Sequence, residues 1–513
     1  MAAKLLLSLA ASLLLLSDAS AQARRDGFRR RGHGSRRHTP KSDVLWSAAQ
    51  RHGAASAAPS TRPVYNVVDY GAKGDNATDD TAAFAAALAA ASAAGGGQAY
   101  VPPGLFVLKG KLTIPPGVAL KGSYGVVPSH DIRDGQPIAD GSVLIPTGGR
   151  GSIGCAPGVD DLNCTAAFIT ITENGLVQGL VVLYAEQERV ATPVPYPWSF
   201  FLGGAMDPEG ERKGSADNAA LMDVELLGCW NCIAAVQAHR HYIARVQGQP
   251  LNIGVFVDAT YDIGRIENVH FNPWFSSSHP LIYHQTTFGR AFVFGRSDWE
   301  YVFNTFAFAY AIGYHFIERA TGSMNGNFLG IGMDAAVNAS VQVDQSQPYG
   351  ILITNGEFTA FCDLDHAFCR PGDSSIAPVH VRTLPANKGA VKFVSSAFWG
   401  PAAGVAVTDG AGTVSFTECH FDSWDHHLNA NATGYLPKGS AAIDQVGGTL
   451  ILSGNEFRQG NLLGLGAQVR VGAAAFKTII TTNIVKGELK VDKSASTGKV
   501  IVANNADDSP DQH

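Results

Sequence analysis

The chain has 513 residues, of which 45% are hydrophobic and 16% charged, with 57 Gly and a formal net charge of −6. That composition excludes an intrinsically disordered chain, which is more charged and less apolar. Residues 1–50 carry nine Lys or Arg against three Asp or Glu, so the remainder holds −12, which argues against nucleic acid or an anionic membrane as the main partner.

The elements run as follows. Met1-Ala-Ala-Lys4, an apolar run Leu5–Leu16 and the small-x-small site Ala19-Ser20-Ala21 read as a secretory signal peptide over residues 1–21. The expected location is therefore extracellular, with no membrane insertion. Residues 22–61 hold seven Arg between Arg24 and Arg37 and no hydrophobic period, and read as a basic disordered linker. An ordered domain is expected over 62–505. It opens with a strand at Val64–Val68 and a turn at Tyr70–Asn76. A helix runs from Thr81 to about Ala94, with Phe84 and Leu88 on one face. Thr78 or Asp79 caps that helix and Gly95-Gly96-Gly97 ends it. Asp75, Asp79 and Asp80 are thereby read as structural rather than catalytic. Strands follow at Ala99–Val101, Leu105–Leu108 and Val118–Gly122, and then short strands alternate with turns to the end.

A short pattern recurs: a polar or small residue, two variable ones, then Phe. It ends at Phe271, Phe308, Phe328, Phe358, Phe398, Phe421 and Phe457. The shortest intervals, 20 and 23 residues, set a unit of about three short strands. That unit is one coil of a parallel β-helix, whose coils must stack to bury their apolar faces. The Phe residues are expected to form one internal ladder. A propeller repeats at roughly 40–50 residues with four strands per blade, and a leucine-rich repeat needs regular Leu spacing, so neither fits.

The stretch Asn66-Val-Val-Asp69-Tyr70-Gly71-Ala72-Lys73-Gly74-Asp75-Asn76-Ala77-Thr78-Asp79-Asp80-Thr81 comes before Val101-Pro-Pro-Gly104 and Leu120-Lys-Gly122. It resembles the N-terminal segment of the pectate lyase superfamily. Polygalacturonase-like and rhamnogalacturonase-like glycosidases share that segment with some epimerases and phage tail-spike proteins. The resemblance covers residues 64 to about 125. It implies an all-β, right-handed parallel β-helix with an N-terminal capping helix, and a secreted enzyme or binding protein for a cell-wall or extracellular polysaccharide. The Asn-Thr-Asp, Gly-His-Gly and Arg-Ile-Lys blocks of polygalacturonases are absent from residues 150–500, so any acid pair sits elsewhere.

Glycosidic bond hydrolysis needs one carboxylic acid and one carboxylate. The acid-rich stretch Arg296-Ser-Asp298-Trp-Glu300 supplies Asp298 and Glu300, which share a face if the segment is a regular strand. Asp262 and Asp334 lie on the coils either side and complete the expected catalytic set. Expected substrate contacts are Asp258, His270, Arg296, Trp274, Tyr310, Glu357, Trp399 and Trp424. The aromatics follow the repeated Phe closely and would stack on sugar rings. A polysaccharide lyase or uronate epimerase is the alternative, with Arg240, His241, Arg265, Arg290 and Arg296 available, as is a non-catalytic glycan-binding β-helix. No cofactor or metal is expected, except Ca2+ for a lyase. Asp422, Asp425, His426 and His427 form a local cluster without a complete ligand set.

Of seven Cys, Cys155 with Cys164 and Cys362 with Cys369 are spaced for local disulfides. Cys229 and Cys232 read as a disulfide or two buried thiols, and Cys419 is left over. Asn76, Asn163, Asn338 and Asn431 stand in glycosylation sequons.

Overall fold

A computed structural model describes residues 63–206, 212–360, 379–400, 402–422, 424, 440–458 and 466–509. Residues 1–61, Cys362, Cys369, Asp425, His426, His427 and Asn431 lie outside them, so the expectations placed there have no structural counterpart. Arg62–His513 forms one compact unit.

The chain winds as a right-handed parallel β-helix, and every strand of its large sheet pairs in parallel with the equivalent strand one coil away. Three faces result. On the first, an inward row runs Leu120, Val177, Leu221, Ile243, Ile266, Val302, Phe328, Ile353, Phe393, Phe416, Leu452 and Ile480. The second face follows after a sharp bend. The third carries the inward row Ile169, Phe200, Ile233, Val255, Phe292, Tyr314, Val341 and Val381. Side chains alternate in and out along each strand, so every second residue of a strand faces the core.

The bend has a chemical signature. Asp223, Arg245, Asn268, Asn304, Asn355, Ser395, Glu418, Thr482 and Asn504 all hold φ between 48° and 57°, with Gly330 and Gly454 in the same series. One left-handed residue per coil turns the chain sharply, and Asn recurs because it tolerates that conformation best among non-glycines. From Asp223 to Asn504 these residues lie 22 to 40 positions apart. The coil length is therefore short, and longer intervals carry insertions. Just past the bend, Asn455 and Asn483 point inward. Asn455 Oδ1 accepts from Cys419 N at 2.9 Å, and Asn483 Oδ1 accepts from Asn455 N at 3.0 Å. Each amide satisfies the backbone of its neighbour coil, which a buried polar group must do to be tolerated.

The aromatic ladder is present but divided. Phe271, Phe358, Phe398, Phe421 and Phe457 occupy the inward row of the second face. Phe328 belongs to the first face, with Phe393 and Phe416. Phe308 points outward, because its neighbour Ala307 holds the inward position. Phe358 and Phe398 stack at 5.2 Å, and Phe393 and Phe416 at 5.0 Å. Each buried phenyl contributes about 1.5–3 kcal/mol.

Helix α1 (Thr81–Ala93) closes the N-terminal end, with Phe84 and Leu88 buried and the Phe84 ring 5.4 Å from Phe106. The acidic cluster before it is structural. Asp80 is the N-cap residue, yet its carboxylate accepts from Lys73 N and Gly74 N at 2.7 and 3.0 Å. Asp79 takes the capping bond, from Thr81 N at 3.1 Å. Asp75–Asp79 is itself a strand, as is Leu112–Ile114, and neither was expected. Cys155–Cys164 and Cys229–Cys232 are disulfides, while Cys419 is a buried free thiol whose pKa burial pushes up to about 11. No helix among the described residues is long and apolar enough to cross a membrane.

Candidate functional site

The outward side of the second face builds the site. Register fixes one row as Val143, Val181, Glu225, Gln247, His270, Phe306, Gly332, Glu357, Ala397, His420 and Glu456. A second row, two residues further along each strand, places Phe308 beside Asp334, Thr359 beside Trp399, and Asp422 beside Arg458.

The early part of this face is covered. Val143, Val181 and Leu227 are buried under Ile132, Ile138, Phe275 and Leu281, with Tyr124 and Trp274 packed against them. The covering segment is tied down by His130. Its Nδ1 sits 2.5 Å from Glu225 Oε2 and its Nε2 sits 3.1 Å from Asp140 Oδ1. The hydrogen bond to fully buried Glu225 raises the His130 pKa. Helix α2 (His279–Phe288) runs beside the next coils. Its Ile282 packs with Ala309, Ala335 and Phe308, and Gln285 Nε2 donates to Ala309 O at 2.9 Å.

Beyond the cover the face opens into a cleft of about 300 Å³ lined by Phe306, Gly332, Asp334, Glu357, Thr359 and Trp399, among others. Gly332 keeps its floor open: a Cβ there would meet Phe306 Cδ2 at 2.9 Å. Glu357 is exposed and accepts from Trp399 Nε1 at 3.2 Å. Trp399 is 42% exposed, so its ring is available for stacking. Asp334 lies two residues past Gly332, the direct neighbour of Glu357. By strand spacing, the two carboxylates start from Cβ positions about 8 Å apart. His270 stands at the covered end, edge-on to Trp274 at 4.8 Å and Phe306 at 5.0 Å, with burial pushing its pKa down. At the other end His420 Nδ1 is 3.3 Å from Glu456 Oε2, and Arg458 Nε is 2.9 Å from Glu456 Oε1.

Of the expected site residues, the cleft and its covered end bring together Asp334, Glu357, His270, Trp274 and Trp399. The others lie elsewhere. Tyr310 and Trp424 are fully buried in the core, where no sugar reaches them; Tyr310 Oη donates to Pro250 O at 2.9 Å. Asp258, Asp262, Arg296, Asp298 and Glu300 sit at the turn between the third and first faces. Strand Glu300–Phe303 runs from that turn to the Asn304 bend, where the cleft begins. Trp299 has φ 62° and is 60% exposed instead of pointing inward. That left-handed residue breaks the alternation, so Asp298 and Glu300 do not share a face. Asp298 accepts from Arg296 Nη2 at 2.9 Å and Gln347 Nε2 at 2.6 Å. Glu300 is buried against His241 Nε2 at 3.1 Å and Ser297 Oγ at 2.6 Å. Asp258 accepts from Ala259 N, Arg296 N, Arg319 Nε and Thr321 Oγ1, and Asp262 pairs with Arg240 at 2.5 Å. These acids are already partnered. Phe306 and Gly332, which line the cleft, were not anticipated. The signal for Phe306 is in Thr305-Phe-Ala-Phe308, where alternation sends one Phe position outward once Ala307 is taken as inward.

Among the described residues no group of three His, Cys, Asp or Glu is arranged to hold a metal ion. Residues 64–152 match the family described as rhamnogalacturonase A/epimerase, pectate lyase-like. No curated protein sequence matches the chain. Solved structures with a similar course include the A-module of a mannuronan C-5 epimerase, AlgE6, from Azotobacter vinelandii. It is 17% identical, with 87% of this chain and 100% of that one covered and a TM-score of 0.47. DFA-IIIase from Arthrobacter chlorophenolicus A6, without its lid, is 12% identical over 86% of this chain and 99% of its own, at 0.46. The surface adhesin PfbA of Streptococcus pneumoniae is 14% identical over 87% and 90%, at 0.39.

Proposed function

The chain fits the pectate lyase-like right-handed β-helix superfamily, and we propose that it is a secreted carbohydrate-active enzyme that hydrolyses glycosidic bonds of an extracellular polysaccharide in the second-face cleft. One observation carries the reading: Asp334 and Glu357, on adjacent coils, line the same open cleft. Inverting enzymes hold their two carboxyl groups about 6.5–9.5 Å apart, so that a water fits between base and sugar, and acids on adjacent coils of one face suit that arrangement. One carboxyl protonates the leaving oxygen. The other, as carboxylate, takes a proton from the water that attacks the anomeric carbon. Phe306 and Trp399 offer flat apolar surfaces to sugar rings on either side of Gly332. The mechanism calls on no metal.

The test is a screen of the purified protein on pectic, algal and β-glucan polymers, reading new reducing ends and the ultraviolet absorbance of unsaturated uronate together. Reducing ends without absorbance, lost in Glu357→Gln, are expected. Absorbance would mean elimination and overturn hydrolysis. An inert protein on every polymer would overturn the enzyme reading.

A further inference from the structure

Nine aromatic side chains stand exposed among the described residues, and five of them gather on one side of the molecule: Tyr261, Trp299, Tyr301, Phe303 and Tyr349. Three sit on the ridge of turns between the third and first faces. Tyr261 precedes strand Arg265–Phe271, Trp299 precedes Glu300–Phe303, and Tyr349 precedes Ile351–Thr354. Those strands are the first, second and fourth of four successive coils. At about 4.8 Å per coil, the row runs along the helix axis in steps of about 5 and 10 Å. Tyr301 and Phe303 extend it across the first face, pointing outward because Val302 holds the inward position between them.

Trp299 carries a cost that packing does not repay. A bulky residue at φ 62° is a backbone outlier, and with 60% of its surface exposed the ring gains little from burial. Glycine takes that conformation more readily. Strain kept at an exposed aromatic points to a ligand. The backbone beneath is held fixed. Trp299 N donates to Asn325 Oδ1 at 3.1 Å, Asn325 Nδ2 to Gln347 Oε1 at 2.7 Å, and Gln347 Nε2 to Asp298 Oδ1 at 2.6 Å. Arg296 Nη2 donates to Asp298 Oδ2 at 2.9 Å, and its guanidinium lies 5.7 Å from the Tyr261 ring. One polar network thus spans three coils and reaches the fourth, which makes the row rigid.

Flat rings at fixed axial steps fit a linear ligand whose every unit has a flat apolar face, as a pyranose has. Arg296 and Asp298 neutralise each other and are partly exposed, so they offer hydrogen bonds to hydroxyls without a net charge. The −12 held by residues 51–513 disfavours a nucleic-acid strand, the other polymer that stacks on aromatics. The surface is also continuous with the cleft, because strand Glu300–Phe303 leads to Asn304, which lines it.

We infer that Tyr261, Trp299 and Tyr349 form a second, non-catalytic glycan-binding ridge that holds polysaccharide along the helix axis, apart from the cleft. This goes beyond the cleft reading and takes only its ligand class from it. A polymer held on the ridge keeps its sugars at a high effective concentration near the cleft.

The experiment is native electrophoresis of the full chain carrying Glu357→Gln through gels containing pectic, alginate or β-glucan polymer. Kinetics on short oligosaccharides are read for the ridge substitutions in the otherwise wild-type protein. Trp299→Gly and Tyr349→Ala should each weaken retardation about three- to ten-fold, and together by more. Phe476→Ala, at an exposed aromatic elsewhere, should not weaken it. KM for short oligosaccharides should hold in Trp299→Gly, and its melting temperature should be equal or higher, since glycine relieves the left-handed strain. Unchanged retardation in the double variant, or retardation by single-stranded nucleic acid and by no polysaccharide, would overturn the ridge and leave hydrolysis standing. A raised KM for short oligosaccharides would make the ridge part of the cleft and overturn a separate site. A lower melting temperature with unchanged retardation would assign Trp299 a structural role instead. Retardation that depends on the ridge in a protein that cuts no polymer would overturn the proposed hydrolysis and keep the ridge.

Discussion

Two acid-bearing regions of this protein differ in one respect that matters. At the turn between the third and first faces, Asp258, Asp262, Asp298 and Glu300 sit amid Arg240, Arg296, Arg319 and His241, which neutralise them. On the second face, Glu357 is exposed at an open cleft beside Asp334, with Trp399 Nε1 as its described hydrogen-bond donor. The first set spends its charge on holding coils together. The second is placed where a substrate can supply the remaining contacts. A dense cluster of carboxylates is thus a weaker sign of catalysis than two acids in a space with room for a reactant.

Substitutions should separate the regions, and the largest effect belongs to the cleft. Glu357→Gln or Asp334→Asn should lower kcat by on the order of 10²–10⁴, with the melting temperature held, whereas Asp298→Asn should leave kcat nearly unchanged. Steady-state kinetics on the polymer found in the screen decides this. The reverse pattern would move the chemistry to the turn.

Next in size is the buried pair. His241 and Glu300 are both fully buried, and His241→Ala strands a carboxylate, which should cost about 3–5 kcal/mol in denaturant unfolding. The pair also gives a pH signature. Burial lowers the His241 pKa, but the Glu300 charge and hydrogen bond outweigh it, so the folded value is raised. A raised pKa adds stability that is full below the ordinary histidine value and is lost as pH rises through the folded value. Unfolding midpoints measured from acid to alkaline pH should show that decline in the wild type. It should shrink in a His241→Asn, Glu300→Gln double variant.

Smaller effects follow. Trp399→Ala should raise KM for short oligosaccharides several-fold, about 1 kcal/mol of lost stacking, while Trp299→Ala, on a more exposed tryptophan at the turn, should not. Smallest is Asp262→Ala. Its partner Arg240 is solvent-exposed, so the melting temperature should hardly change.

Much of the fold was legible in the residues. The opening motif, helix α1 and the coil-length Phe intervals point to a stacked parallel helix, because each is a local signal. The single ladder was not right in detail. Phe328 and Phe308 fit the same local pattern as Phe358 but stand on another face or one residue out of phase. A period measured within the chain does not say which side of a coil a residue occupies. Trp299 shows the same limit for the site. Alternation predicts a shared face for Asp298 and Glu300, and one left-handed residue removes it.

Composition, the local motifs and the repeat were enough to specify that strands form, that they stack, and that acids and aromatics fall near the repeats. Periodicity is a nearest-neighbour property, and the chain carries it openly. Which acids meet depends on register across coils separated by 22 to 40 residues, with insertions of unequal length absorbed in the turns. That register is set by packing of inward rows and by hydrogen bonds between coils. The pairing of Asp334 with Glu357, the sealing of Glu225 by His130 and the row of Tyr261, Trp299 and Tyr349 therefore exist only once the coils are stacked.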